Sequence, residues 1–206
     1  MNKYPWMSAV EAVCMVRSHQ RVFVQGSAAT PLTLLRALFA RAGEVEHVEV
    51  VSISTLGDIG AQAPEVQQSF FINSLFVSEN VREVVNGPGG DYVPVFLSEI
   101  PRLFDRKVLP LDVALVHLSP PDRHGFCSLG VSVDVARAAV RNARVVIAQI
   151  NARMPRTHGE GQVHIDRLDA YVEVDWRDEA PAEEGDALVQ SELSNQSETF
   201  KEAQVG

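Results

Sequence analysis

Cysteine is scarce in this 206-residue sequence, which contains only Cys14 and Cys127. Neither belongs to a CxxC or CxxH pair, so we expect no disulfide scaffold and no metal module of the zinc type, and the sequence favours a reducing, cytoplasmic environment. No apolar run reaches the ~18 residues that a membrane-spanning helix needs. The first 17 residues carry Glu11 inside their apolar stretch and have no basic region before an uncharged core, so we expect no signal peptide.

A basic stripe is also missing. The sequence has 27 acidic side chains against 18 lysines and arginines, for a formal net charge of −9. This balance argues against binding to the phosphate backbone of nucleic acid. Residues 175–206 hold nine of the acids, only two of the bases and few large aliphatics. Such a composition predicts a disordered acidic tail over 176–206, following one domain over 1–175.

Within residues 1–175, segments with helical periodicity alternate with short valine-rich segments. That order predicts the α/β class, with an open, mainly parallel sheet flanked by helices. Residues 56–68 and 120–130 are predicted as loops. The predicted strands cover 21–24, 45–53, 69–77, 111–119, 144–150 and 164–174, and the predicted helices cover 7–16, 32–43, 78–86, 98–106 and 134–142.

The first candidate site is the turn from Gly26 to Pro31, between a strand and a helix. Glycine there lets the backbone approach a ligand closely, and the N-terminus of the following helix presents free N–H groups to an anion. A purely structural turn explains the same residues, because the segment is neither a GxGxxG nor a Walker loop. A nucleotide-binding module would also need a ribose-binding acid ~20 residues further on, about where Glu46 and Glu49 fall.

The second candidate is the loop over residues 119–134, at the carboxyl end of a strongly apolar predicted strand, where open α/β sheets place their ligands. It contains His124, Cys127 and Ser128. A Cys–His nucleophile is one interpretation, because a neighbouring imidazolium lowers the pKa of a thiol. The favoured interpretation is a tight loop in which Cys127 is a small buried hydrophobe and His124 is exposed.

The third candidate lies over residues 155–166. His158, Glu160, His164 and Asp166 could be drawn as a metal-binding set, but no HExxH motif places them on one helical face. A surface loop that leads into a strand is the favoured interpretation.

Together these three loops resemble the N-terminal half of the acetyl-CoA hydrolase/acetate CoA-transferase family, which includes the 4-hydroxybutyrate CoA-transferases. The resemblance spans about residues 8–175. Its most specific part is the loop over 119–134, which matches in residue type and spacing. The other matching stretches are 26–31, 151–159 and 163–166.

The resemblance implies two related open α/β halves that move CoA between short carboxylic acids, or to water. A coenzyme A thioester is then the substrate, and no tightly bound cofactor is expected. Family members use a glutamate that attacks the thioester and passes through a glutamyl-CoA intermediate, and this glutamate lies in their C-terminal half. We therefore expect no catalytic residue in this chain. The loop residues that the resemblance places towards the cleft between the halves are Gly26, Ser27, Pro31, Ser128 and Gly130.

Two hypotheses about the role of the chain follow from the resemblance. The first is the N-terminal portion of such an enzyme, either truncated or one subunit of a split enzyme, and inactive alone. The second is a non-catalytic binding or assembly subunit that pairs with a separate C-terminal half or with a second copy. An assembly subunit should expose an apolar face larger than the few hundred Å² that are normal for monomers.

Overall fold

The computed structural model describes residues 7–174, which form nine β-strands. Seven of them make one sheet, in which every neighbouring pair of strands is parallel. The predicted open parallel sheet is therefore confirmed. The strands are β1 (Arg21–Val24), β2 (Val48–Ser52), β3 (Phe70–Ser74), β4 (Gly90–Tyr92), β5 (Val113–Leu118), β6 (Phe126–Ser128), β7 (Val145–Asn151), β8 (Gln162–His164) and β9 (Ala170–Val174).

The order of strands across the sheet is β4-β3-β2-β1-β5-β7-β9. The chain first builds outward from β1 to β4 and then returns to add β5, β7 and β9 on the other side of β1. Strand β5 is buried at every position, as expected for a central parallel strand that is covered on both faces. The direction of winding changes between β1 and β5, which makes this pair the switch point of the sheet.

Helices cover both faces of the sheet, so that the apolar core has two parts. Helices α1 and α2 pack against each other over one face, and α5 and α6 pack against each other over the other face. The helices are α1 (Ala9–Val13), α2 (Leu32–Phe39), α3 (Pro64–Ser69), α4 (Arg82–Val85), α5 (Ile100–Asp105) and α6 (Ala136–Asn142).

Helix α1 begins with the pattern of Ser8 and Glu11, which is typical of a capping box. The Ser8 hydroxyl accepts a hydrogen bond from the Glu11 N–H at 3.2 Å, and the Glu11 carboxylate accepts one from the Ser8 N–H at 2.8 Å. Both partners satisfy N–H groups that a helix start leaves unpaired. The bonds from Ser8 also hold the pKa of the Glu11 carboxyl below its usual value.

Several predicted segments differ from the structure, and three of the differences change the type of an element. The loop predicted over 56–68 contains helix α3, and the loop predicted over 120–130 contains strand β6. The final strand predicted over 164–174 is divided into the end of β8, a 3₁₀ turn and β9. Strands β6 and β8 are only three residues long and pair antiparallel with each other, so neither has enough length to show a period in the sequence.

The prediction of an acidic tail over 176–206 lies outside the described residues. Its boundary with the domain therefore stays a prediction, although the last described strand, β9, ends at Val174. Between residues 7 and 174, no helix is both long enough and apolar enough to cross a membrane.

Candidate functional site

The loops that follow β1 and β5 leave the same edge of the sheet, one on each side of the switch point. Parallel pairing of β1 with β5 places both carboxyl ends together, at Val24 and Leu118. In open α/β sheets, ligands bind in the crevice that opens at this point. The first two loops singled out in the sequence, residues 25–31 and 119–134, therefore lie next to one another at this switch point, and we call the surface that they share the crevice.

The turn after β1 packs tightly against the chain that follows β2. A side chain at Gly26 would place its Cβ atom 2.3 Å from the Ser54 carbonyl oxygen, so only glycine fits there. The next residue, Ser27, has a left-handed φ of 55° and donates its N–H to the same Ser54 oxygen at 2.8 Å. Gly26 is thus explained by close packing of the backbone, whereas Ser27 stays partly exposed at the crevice.

Pro31 lies immediately before the first residue of α2 and is buried. Its position agrees with the predicted start of a helix at residue 32, and its contact with a ligand stays a prediction. A residue of the sheet binds the N-terminal end of α2, because the Gln149 side chain accepts a hydrogen bond from the Leu34 N–H at 3.3 Å. Gln149 lies on β7 and is fully buried.

Gln25 joins the two loops of the crevice, and the sequence analysis missed it. Its side-chain amide donates to the carbonyl oxygens of Leu129 at 3.0 Å and Ser132 at 2.8 Å. Its side-chain oxygen accepts the His117 N–H at 2.8 Å. The Gln25 side chain is completely buried, and its bonds to Leu129 and His117 form away from water. The only signal in the sequence was a glutamine directly after an apolar strand and before a glycine.

Ser128 and Gly130 are held by Thr157, from the third loop. The Ser128 hydroxyl accepts the Gly130 N–H and the Thr157 N–H, both at 3.1 Å. Gly130 has a φ of 67°, and a Cβ atom there would lie 2.1 Å from the Met154 sulfur. Ser128 is fully buried and Gly130 is buried as well. The structure thus shows roles for both residues in packing the loop, and contact with a ligand stays a prediction.

Arg156 fastens the third loop to the second. Its guanidinium donates to the Pro120 carbonyl at 3.1 Å, to the Asp122 carboxylate at 3.1 Å and to the Phe126 carbonyl at 2.6 Å. Asp122 also accepts the N–H groups of His124 at 2.8 Å and Phe126 at 2.9 Å. These backbone donors, with Arg156 nearby, hold the pKa of the Asp122 carboxyl below its usual value.

The environment of Cys127 argues against a cysteine nucleophile. Its side chain is fully buried in the core on the α5 and α6 side, and burial raises the pKa of its thiol to about 11. A thiol with that pKa carries almost no thiolate at neutral pH, and the thiolate is the reactive form. His124 is exposed, and its ring nitrogen pairs with the neighbouring Arg123 at 2.9 Å. Both residues follow the favoured interpretation of the sequence.

The possible metal set of the third loop does not assemble. His164 Nδ1 lies 3.5 Å from the Asp166 carboxylate, whereas His158 and Glu160 are exposed. Over residues 7–174, no three side chains of histidine, cysteine, aspartate or glutamate come together in an arrangement that could hold a metal ion.

The structure does not place an acidic residue where the nucleotide-binding alternative requires one. Glu49 lies in the first half of β2 and pairs with Arg21 at 2.7 Å, and Glu46 precedes that strand. Both are therefore away from the carboxyl end of β2, where a ribose-binding acid is required. The residues that do follow β2 at the crevice are Ser54 and Thr55, which have no charge.

His117 is a further buried polar residue that the sequence analysis did not single out. It lies next to Gln149 in the pairing of β5 with β7 and is only 5% exposed. Burial lowers the pKa of its imidazole to about 4, so that the ring is neutral at neutral pH. A histidine within a run of apolar residues, Leu115 to Leu118, is the signal that could have found it.

The two loops of the crevice expose backbone N–H groups that can donate hydrogen bonds, but they present no side chain suited to act as a nucleophile. Ala28 and Val131 are exposed, and the N–H groups of both have no hydrogen-bond partner within the described part of the chain. Residues 25–31 and 119–134 include no glutamate. The two acids of the second loop are occupied, because Asp122 organises the loop and Asp134 accepts N–H groups at the start of α6.

Known proteins are similar to this chain over most of its length. Residues 1–181 match the family model of the acetyl-CoA hydrolase/transferase N-terminal domain. The succinyl-CoA:acetate/propanoyl-CoA:succinate CoA transferase of Fasciola hepatica is 39% identical over 160 residues, which are 77% of this chain and 33% of that protein. The 4-hydroxybutyrate coenzyme A transferase of Clostridium kluyveri is 37% identical over 167 residues, or 81% of this chain and 39% of that protein. The chain thus spans between a third and two fifths of the length of these relatives.

Solved structures show the same fold. The crystal structure of 4-hydroxybutyrate CoA-transferase from Porphyromonas gingivalis superposes with a TM-score of 0.68 at 31% identity, over 82% of this chain and 39% of that one. RipA from Yersinia pestis gives a TM-score of 0.74 at 30% identity, over 82% and 42% of the two chains. A chain of the decarboxylase AibA/AibB shares the fold alone, with a TM-score of 0.57 at 15% identity.

Proposed function

The chain belongs to the acetyl-CoA hydrolase/transferase family, and on that premise we propose that it forms one wall of a pocket for a CoA thioester. The complete pocket moves CoA between short carboxylic acids, or to water. The observation that supports this function is the position of the three loops. Two of them flank the switch point of the sheet, and Arg156 and Thr157 of the third bind the second through hydrogen bonds.

The proposed reaction proceeds through a glutamate supplied from outside the described residues. Its carboxylate attacks the thioester carbonyl, so that an acyl-glutamyl anhydride forms and CoA leaves as a thiolate. The thiolate then attacks the glutamyl carbonyl, which releases the first acid and leaves a glutamyl-CoA thioester. The second acid takes CoA by the reverse of these steps. Such covalent catalysis divides one difficult step into easier ones.

The role proposed for this chain is to bind the thioester and to stabilise negative charge. The unpaired N–H groups of Ala28 and Val131 are exposed on the loops of the crevice and can donate to an oxyanion. Residues 25–31 and 119–134 hold no glutamate, and Glu160 of the third loop is exposed at the surface. Cys127 is a buried thiol with a raised pKa. The nucleophile is therefore proposed to come from a second domain that faces the crevice.

An exchange assay tests this division of roles. The purified chain, incubated with acetyl-CoA and a labelled short carboxylate, is expected to show no transfer of CoA. A chimaera in which residues 8–174 replace the matching segment of the Clostridium kluyveri relative is expected to transfer CoA. Transfer by the chain alone that persists in Cys127→Ala would contradict the proposal that the nucleophile lies elsewhere.

An assembly role is the second candidate, and the exposed apolar side chains favour it. Phe76 is 68% exposed and follows β3, Tyr92 is 56% exposed and ends β4, and Phe96 is 77% exposed shortly after β4. All three lie towards the edge of the sheet at which the crevice opens. Size-exclusion chromatography over a range of concentrations tests this candidate, because a monomer at every concentration would argue against self-association.

The cysteines support the proposed cytoplasmic location. Cys14 is exposed, Cys127 is buried, and both are free thiols. A fold that places its cysteines apart in this way needs no oxidising compartment to form.

A further inference from the structure

A cavity lies away from the crevice, between helix α6 and strand β8. Its volume is about 280 Å³. None of its lining residues belongs to the loops over 25–31 and 119–134 that form the crevice. Three of the lining residues are arginines and a fourth is a histidine, namely Arg137, Arg141, Arg167 and His164.

The arginines come from two elements that the fold brings together. Arg137 and Arg141 are four residues apart on α6, so they lie on the same face of that helix. Arg167 lies in the 3₁₀ turn that follows β8. The helix and the turn are also bonded directly, because Arg167 donates to the Ala143 carbonyl at 2.5 Å.

Hydrogen bonds hold each guanidinium in place but use only part of it. Arg141 donates through one nitrogen to both carboxylate oxygens of Asp105, at 2.6 and 2.8 Å. Arg137 donates to the Glu160 carbonyl. Each guanidinium has five N–H donors, so these bonds fix the side chains and leave further donors.

The positive charge at this cavity is only partly balanced. Arg141 pairs with Asp105 at 2.6 Å, and Arg167 lies 3.7 Å from Asp169. A third carboxylate, that of Asp166, lies 3.5 Å from the lining residue His164. Arg137 has no carboxylate partner within salt-bridge distance over residues 7–174. In a protein of formal net charge −9, a cavity lined by three guanidinium groups is a local site of attraction for anions.

We propose that this cavity binds a small phosphate-bearing anion. The planar fork of arginine matches the geometry of phosphate oxygens and donates two parallel hydrogen bonds to them. The volume of about 280 Å³ is below the ~300–1,000 Å³ typical of pockets for drug-sized ligands, so it suits a phosphate group rather than a whole nucleotide. The inference does not depend on the proposed function, because the cavity is separate from the crevice.

The phosphate could belong to a free ion or to a larger ligand, and the experiment separates these sources. Isothermal titration calorimetry of the full chain is carried out with inorganic phosphate, with CoA and with dephospho-CoA, which lacks the 3′-phosphate group. All titrations use constant ionic strength, with chloride as the balancing anion. If the unchanged chain binds CoA more tightly than dephospho-CoA, and this difference in affinity disappears in Arg137→Gln, the 3′-phosphate is the group bound. Binding of inorganic phosphate with no such difference would identify the free ion.

The decisive comparison is between two arginines that each donate to a backbone carbonyl. Arg137→Gln should weaken the binding of phosphate about tenfold or more, because it removes charged donors from the anion. Arg36→Gln is the matched control. Arg36 donates to the Asp58 carbonyl from α2, on the opposite face of the sheet, and its loss should leave the affinity unchanged.

Two results would overturn the proposal. One is the absence of saturable phosphate binding by the unchanged chain, and the other is an equal loss of affinity in Arg137→Gln and Arg36→Gln. Circular dichroism checks that both variants fold. If Arg137→Gln does not fold, nuclear magnetic resonance titration of the unchanged chain decides the question. Phosphate must then shift the side-chain signals of Arg137 and Arg167, and shifts confined to other residues would refute the site.

Discussion

The two loops of the crevice are held in different ways. The turn after β1 is short and lies in close backbone contact with the chain after β2, because Gly26 packs against the Ser54 carbonyl oxygen and Ser27 donates its N–H to the same oxygen. The loop after β5 is long and depends on several side chains that bond to its backbone. Gln25 reaches it from β1, Asp122 bonds within it, and Arg156 reaches it from the third loop.

The difference shows how each loop should tolerate change. A turn that is packed closely backbone against backbone has no space for a side chain. One added methyl group must therefore displace the main chain. In a loop that depends on many hydrogen bonds, the loss of one removes only part of the restraint. Two changes test this contrast, and a third, with the smallest expected effect, tests the buried strand β5 that leads into the second loop.

Gly26→Ala should be the most damaging. The added Cβ atom would lie 2.3 Å from a backbone oxygen, and neither chain can move without disturbing β1 or β2. We expect the free energy of unfolding to fall by about 4 kcal/mol, in the range reserved for severe strain. Urea denaturation measures it. The control is Gly43→Ala, at a φ of 85° with no atom within 4 Å, which should cost about 1 kcal/mol. Equal costs would contradict the role of the contact with Ser54.

Gln25→Leu should have the second-largest effect on the free energy of unfolding. The change keeps the volume of the side chain but leaves the carbonyls of Leu129 and Ser132 and the N–H of His117 without their partner. Buried polar groups without partners are costly, and we expect a loss of about 3 kcal/mol in the free energy of unfolding. Gln68→Leu changes an exposed glutamine and should have little effect. If both variants were equally stable, Gln25 would not hold the loop.

His117 should make stability depend on pH. Burial lowers its pKa in the folded protein to about 4, below the unfolded value of about 6.5. The unfolded chain therefore takes up the proton first, and stability falls as the pH drops below about 6.5. The expected loss is about 2 kcal/mol at pH 5 relative to pH 7.5.

The test compares the free energy of unfolding at pH 5 and pH 7.5 in the unchanged chain and in His117→Gln. The variant should lose this part of the pH dependence, whereas His158→Gln, at an exposed position, should keep it. An identical pH dependence in all three proteins would show that His117 does not titrate as its burial requires.

Local patterns in the sequence were sufficient for much of the fold. Alternation of strands with helices predicted the parallel sheet, and Ser8 with Glu11 predicted the start of α1. The strands β6 and β8 were missed because three residues are too few for a periodic pattern. Helix α3 was missed because it is only six residues long, begins at Pro64 and leads directly into β3.

The candidate site was predicted less completely than the fold. The loops were placed at the correct edge, because a glycine turn and a polar loop each follow an apolar strand. Gln25 was not found, because its partners Leu129 and Ser132 are 104 and 107 residues further along the chain. Likewise, the packing roles of Ser128 and Gly130 come from Thr157 and Met154, which no local pattern connects to them.

The sequence by itself determined the class of fold, the position of its turns and the family resemblance, because these follow from neighbouring residues and from their spacing. Only the tertiary structure decided that β1 and β5 lie side by side, and that the third loop is hydrogen-bonded to the second. It also decided that Arg137 and Arg167 line one cavity. Those arrangements arise from contacts between distant segments, and such contacts are set by the packing of the whole sheet and its helices.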